Sequence, residues 1–141
     1  MKVYILFISF VFTFLFPETV LAQPIPMDKP PVFSLRCENL PSPAAQMDCL
    51  NERVTFAQDT LNHMYDKVQQ GIDDRELLNL SQNAWVAYKD QTCKFQASLE
   101  IEAYQRSKEL ECIGQLTEDR AMFFFYIKHD PNQHASALTQ D

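Results

Sequence analysis

Leu77-Leu78-Asn79-Leu80-Ser81-Gln82-Asn83-Ala84-Trp85-Val86-Ala87-Tyr88-Lys89-Asp90-Gln91-Thr92-Cys93 holds the single Trp of the chain, a Tyr one turn later, and a cysteine that fixes where the chain must next return. At helical spacing Leu77, Leu80, Ala84, Tyr88 and Phe95 share one face, with Leu78, Gln82, Trp85 and Thr92 beside it. The band is broad and mostly apolar, wide enough to meet two neighbouring helices. Trp85 and Tyr88 are expected as core anchors, because large aromatics dominate small cores.

Cys93 has three companions, Cys37, Cys49 and Cys112, and the compartment decides how they are read. Lys2 precedes an uncharged run from Val3 to Phe16, broken by Pro17 and Glu18 and followed by Val20-Leu21-Ala22. That is a secretory signal over residues 1–22, cleaved after Ala22. About fourteen apolar residues are short against the roughly 20 of a spanning helix, so no stable membrane insertion is expected after cleavage. Export to a periplasm or the extracellular space makes four cysteines two disulfides. Three connectivities are open. Gaps of 11, 43 and 18 residues contain no C-x-x-C knuckle, which disfavours zinc.

About 119 of the 141 residues remain after cleavage, enough for one domain. The net charge of −7 argues against nucleic acid and anionic membrane surfaces, and favours a basic protein partner. Only two glycines occur, which disfavours turn-rich β folds and phosphate-cradling loops.

Upstream of the quoted stretch, residues 23–43 carry six prolines and no periodicity, an extended proline-rich arm. Ser42-Pro43 reads as an N-cap with proline at the first helical position. From there to about Gln70 the seam Met47, Leu50, Val54, Ala57, Leu61, Met64 and Val68 predicts a helix. Gly71 is expected to close it in a left-handed cap. A second helix starts at Asp73 or Asp74, with acids facing the positive end of the dipole, and fades by Glu100. A third is recognisable from about Lys108 to Ile127, its apolar face carrying Arg120. Residues 98–107 fit no clean period, and loop and helix both stay open there. The fold class is all-α, a small disulfide-stapled bundle of three main helices over residues 44–128, with a disordered tail over 129–141.

No catalytic motif stands out: no G-x-S-x-G, no H-E-x-x-H, no phosphate loop. Asp59, His63 and Asp66 could edge a metal, but such sets are common on solvated helix faces. His129 and His134 flank a proline in the tail. No cofactor, metal site or enzymatic activity is expected.

Asp59-Thr60-Leu61-Asn62-His63-Met64-Tyr65 resembles the D-x-L-N-x-x-Y signature of the lysozyme inhibitor LprI-like N-terminal domain family. Gln82, Trp85, Tyr88, Lys89, Asp90 and Cys93 match its Q-x-x-W-x-x-[YF]-R-D-x-x-C, with Lys89 where arginine is usual. Cys112, Leu116, Thr117 and Arg120 match its closing C…L-T-x-x-R element. The resemblance spans about residues 37–127. It implies an exported binding protein that blocks a muramidase, with Asp59, Leu61, Asn62, Tyr65, Gln82, Trp85, Tyr88, Asp90, Thr117 and Arg120 as motif residues serving structure or binding. The other reading is an immunity-like or accessory envelope protein. The chain departs from the family in lacking glycine between Ser98 and Glu111 and in lacking a lipobox.

The expected pairing is Cys37–Cys49 and Cys93–Cys112. A continuous helix would hold the latter two about 28 Å apart, whereas a bridge needs Cα atoms within roughly 7 Å. The chain must therefore reverse between about Ser98 and Ser107. Arg120 is expected to be partly buried and paired with Asp59 or Asp90, since an unpaired guanidinium on an apolar face is costly.

Overall fold

The computed structural model describes residues 29–129. The expected signal peptide, the first residues of the arm and the tail from Asp130 lie outside them. Three helices follow one another: α1 (Pro43–Gly71), α2 (Arg75–Ser98) and α3 (Glu102–His129), with no strand among the described residues. No described helix is long and apolar enough to cross a membrane.

Each helix begins as its local chemistry dictates. Ser42 Oγ accepts from the amide of Ala45 at 3.1 Å, and Pro43 opens the first turn of α1. Asp74 accepts from the amide of Leu77 at 2.9 Å and caps α2, with Glu76 in the first turn. The expected left-handed Gly71 is not found. Gly71 stays helical and the chain leaves through Ile72 in extended conformation; the positive φ belongs to Asn39 in the arm, at 60°.

Helix α3 starts six residues earlier than the periodicity suggested, so residues 98–107 are mostly helix and the reversal is confined to 99–101. Leu99 and Glu100 donate back to Gln96 and Ala97, and Tyr104 to Ile101, and Gln105 Nε2 donates to the Glu100 carbonyl at 3.2 Å to close the turn. The early turns of α3 are solvent-facing. They are held by Arg106–Glu109 and Lys108–Glu111 pairs at i, i+3 rather than by an apolar stripe, which is why the period was hidden. At the other end His129, expected to begin the tail, is the last helical residue, its ring 4.3 Å from that of Phe125.

Helix α3 is the centre. Helices α1 and α3 run parallel and pack along their length, while α2 lies antiparallel to α3 and barely touches α1. The α1 seam behaves as expected: Leu50, Ala57, Leu61, Met64 and Val68 are buried, with Met47 and Val54 partly so. Leu61, Met64 and Val68 meet Ala121, Phe124, Phe125 and Leu78 in one cluster; Leu50, Leu110 and Cys37 form a second. The arm is part of the domain. Its Pro31 and Cys37 are buried, and Phe33 meets Phe56 of α1 edge-on at 5.9 Å. Both disulfides are as expected, Cys37–Cys49 and Cys93–Cys112, with Cα separations of 5.6 and 5.4 Å.

The face of α2 is the main correction. Leu77, Leu80, Tyr88 and Phe95, read as core, are 62%, 59%, 57% and 65% exposed, and Ala84 is exposed with them. The buried side carries Leu78, Lys89, Cys93 and Ala97, with Trp85 partly buried against the core. Cys93 lies sixteen residues after Leu77, about 160° around the helix at 3.6 residues per turn. Bridging Cys93 to α3 rotates the Leu77 face away from it.

Candidate functional site

The family-motif residues separate into three groups by their surroundings. Leu61 and Thr117 are fully buried, and Thr117 Oγ1 donates to the Ile113 carbonyl at 2.6 Å, satisfying its hydroxyl inside α3. Asp59, Asn62, Tyr88 and Asp90 are exposed; Asn62 accepts from Gln58 at 2.9 Å, and Asp90 lies 3.4 Å from Lys89 Nζ. Gln82, Trp85 and Arg120 come together between α2 and α3, with Tyr65 packed on the same core from α1.

Arg120 is the centre of that third group. Its Nε donates to Gln82 Oε1 at 3.1 Å and its Nη2 to Ser81 Oγ at 3.0 Å. Its guanidinium carbon stands 4.6 Å and 4.7 Å from the ring centroids of Phe124 and Phe123, and 5.7 Å from that of Trp85. Neither Asp59 nor Asp90 pairs with it, and among the described residues it forms no ion pair, contrary to expectation. Asp90 turns to Lys89, and Asp59 points from the exposed side of α1. Burial pulls the Arg120 pKa below the ordinary guanidinium value, and the aromatic faces supply what a carboxylate would have given. Lys89 flanks the same indole, its Nζ 5.5 Å from the Trp85 centroid, so the ring carries a cation on each of two approaches. Tyr65 adds an edge contact to Phe124 at 5.5 Å and a hydroxyl bond to Asn79 Oδ1, tying α1 to α2 near their connection.

Further along, where α1 and α2 diverge, a cleft of about 530 Å³ opens over α3. Tyr88, Thr92 and Gln96 of α2 form one wall, Leu50 and Arg53 of α1 the other, and Lys108, Glu111 and Gln115 of α3 the floor. Cys37 and Cys112, one from each disulfide, also line it, so both covalent bridges brace the cavity. Arg53 spans its edge: Nε and Nη2 meet Glu118 Oε1 and Oε2 at 2.6 and 2.7 Å, and Nη2 reaches Gln115 Oε1 at 3.2 Å. The hydrogen bond to Glu118 raises the Arg53 pKa, with burial opposing it. Arg53 crosses α3 beside Gly114, where a Cβ would lie 3.5 Å from its Nε, in ordinary contact.

Arg53, Glu118 and Ser81 were absent from the sequence reading. Arg53 flanks the α1 seam between Leu50 and Ala57, and Glu118 sits inside the closing motif. A charge of each sign bordering two apolar stripes was the available signal. The cleft presents amides, hydroxyls, one phenol and paired charges. That set suits hydrogen-bonded recognition of a polar surface. No cluster of three or more His, Cys, Asp or Glu able to hold a metal occurs among the described residues.

A family model described as lysozyme inhibitor LprI matches residues 37–123, more than half of the chain. The chain belongs to the lysozyme inhibitor LprI family. No curated protein and no solved structure matches it. In this LprI-family chain the match runs from the first bridged cysteine to Phe123 beside Arg120. It therefore covers both disulfides, the cleft and the arginine cluster except Phe124.

Proposed function

We propose that the mature protein is an exported, non-catalytic binder that blocks a lysozyme-type muramidase, and that the braced cleft between α1 and α2 is the surface that engages it. Membership of the lysozyme inhibitor LprI family is the observation that carries this reading. The leader read over residues 1–22 supports delivery to a periplasm or the outside. The cleft supports recognition: its walls are held by two disulfides, so little ordering is lost when a partner docks. The net charge of −7 opposes that of lysozymes, which are commonly basic, and steers encounter. Among the motif residues, Leu61 and Thr117 serve the fold, while the exposed Asn62 is available to a partner.

The test is residual lysozyme activity at rising molar ratios of the folded, oxidised protein, across several lysozyme classes. Inhibition should saturate without turnover of cell-wall substrate. Thr92→Trp, which fills the cleft from a partly exposed wall, should abolish inhibition while leaving the melting curve in place. No inhibition at large excess against every class ends this reading.

A further inference from the structure

The uncovered side of α2 is too continuous to be scattered surface leucine. Leu77, Leu80, Ala84, Tyr88, Phe95 and Leu99 follow one another down the side of α2 turned away from α3, with Gln91 the polar residue in line. The steps of three and four fit a straight helix. Leu77, Tyr88 and Leu99 recur every eleven residues, and the row is about 33 Å long at 1.5 Å per residue. Together the side chains leave on the order of 500 Å² of apolar surface in water, at the upper end for the largest patch on a monomer. Not one charged residue interrupts the row.

We propose that this row is the contact surface of a two-fold symmetric dimer, in which α2 pairs antiparallel with α2 of a second copy. The register follows from the side chains. Centring the axis between Lys89 and Asp90 sets Leu80 against Leu99 of the other copy, Ala84 against Phe95, and Tyr88 against Gln91. Each contact occurs twice, and the phenyl ring of Phe95 falls opposite Ala84, the smallest residue of the row. A two-fold interface must be complementary to itself, and the row is so from Leu80 to Leu99, with Leu77 lying beyond the paired stretch.

Charge points the same way. In a chain of net −7, the exposed charges of α2 balance, Arg75 and Lys94 against Glu76 and Asp90, with Lys89 turned inward. Two copies of α2 therefore meet without the mutual repulsion of two acidic faces. Lys94 falls level with position 85 of the other copy, between Asn83 and Ala87 on that side of the helix, so no like charges are opposed. Face to face the rows bury about 1,000 Å² in total, the lower bound for a specific interface. The dimer is accordingly weak and concentration-dependent. Of the residues lining the cleft, Tyr88 alone belongs to the row, at its edge, while Leu50, Arg53, Thr92, Lys108 and Gln115 lie outside it.

Sedimentation equilibrium of the mature, oxidised protein from about 1 to 200 µM tests this. A monomer–dimer equilibrium is expected. Ala84→Glu and Phe95→Lys alter exposed residues, so helical content and the melting curve of the dilute monomer should stay as in the parent. Each single variant should weaken association at least 100-fold by setting a charge against an apolar side chain. The double variant Ala84→Glu/Phe95→Lys sets opposite charges across both symmetric contacts and should recover most of the loss. A parent that is monomeric at 200 µM overturns the proposal and leaves the row to a different partner. A parent dimer indifferent to both single variants, or a double variant no better than either single, overturns it equally. None of these readings depends on whether the protein inhibits a lysozyme.

Discussion

Arg53 and Glu118 close a two-pronged ion pair between α1 and α3, at 2.6 and 2.7 Å, sixty-five residues apart in sequence. Two parallel hydrogen bonds to one carboxylate are the strong form of this interaction. Glu118 is almost fully buried, and both of its carboxylate oxygens accept from the guanidinium. Arg53→Ala is expected to destabilise the protein by about 3 kcal/mol, chiefly by leaving that carboxylate alone. The paired replacement Arg53→Met/Glu118→Leu should recover most of it. Urea unfolding of the four proteins checks this; a loss below about 0.5 kcal/mol for the single variant would place the pair among surface bridges.

Arg120 should respond differently, because aromatic rings and neutral oxygens hold it. Truncation strands no carboxylate, so Arg120→Ala should cost about 1–2 kcal/mol from lost cation–π and stem packing. Arg120→Met, which keeps the stem, should cost less. Trp85 fluorescence should shift in both variants, since the cation 5.7 Å from its ring is gone. A loss above about 4 kcal/mol would reveal a buried acid paired with this guanidinium.

The two disulfides should contribute unequally in kind. Cys93→Ser/Cys112→Ser opens a sequence separation of 19 and should cost about 3 kcal/mol, freeing α2 to rotate about its axis. Cys37→Ser/Cys49→Ser, with a separation of 12, should cost a few tenths of a kcal/mol less by loop closure. Its distinguishing effect is local. Amides of the arm around Phe33 should lose hydrogen-exchange protection while those of α1 near Leu61 keep theirs. Uniform loss across all three helices in this variant would contradict the arm's packing as described.

Inhibition should be salt-dependent in its rate. With a screening length of about 8 Å near physiological ionic strength, the association rate of the acidic protein with a basic lysozyme should fall as salt rises. Dissociation, governed by the cleft contacts, should change little. Stopped-flow association at several salt concentrations separates the two. A rate flat across that range would remove steering from the account.

Much of the architecture was legible because it rests on local rules. Ser42 and Asp74 cap helices wherever the next residues continue one, the three-four seam from Leu50 to Val68 admits one buried face, and the cysteine pairing needs only a reversal near residue 100. The motif residues could be named in advance, but not their surroundings. Arg120 was given an acid by the general rule that buried charge is paired; three aromatic rings and two neutral oxygens do that work, and no sequence period announces them.

By itself the sequence determined the number of helices, the N-caps of α1 and α2, the core face of α1 and the chain reversal that brings Cys93 back to Cys112. Only the tertiary structure decided which side of α2 is inside. That helix carries two usable faces, one of leucines and aromatics and one of mixed residues around Trp85, and burial of apolar area alone favours the first. A covalent bond and the packing on α3 outrank it: with Cys93 turned inward, Lys89 and Gln82 must approach the core and Leu77, Leu80 and Phe95 must face water. Hydrophobic burial is non-directional and tolerates either rotation of the helix. A disulfide has one direction, and it set the rotation.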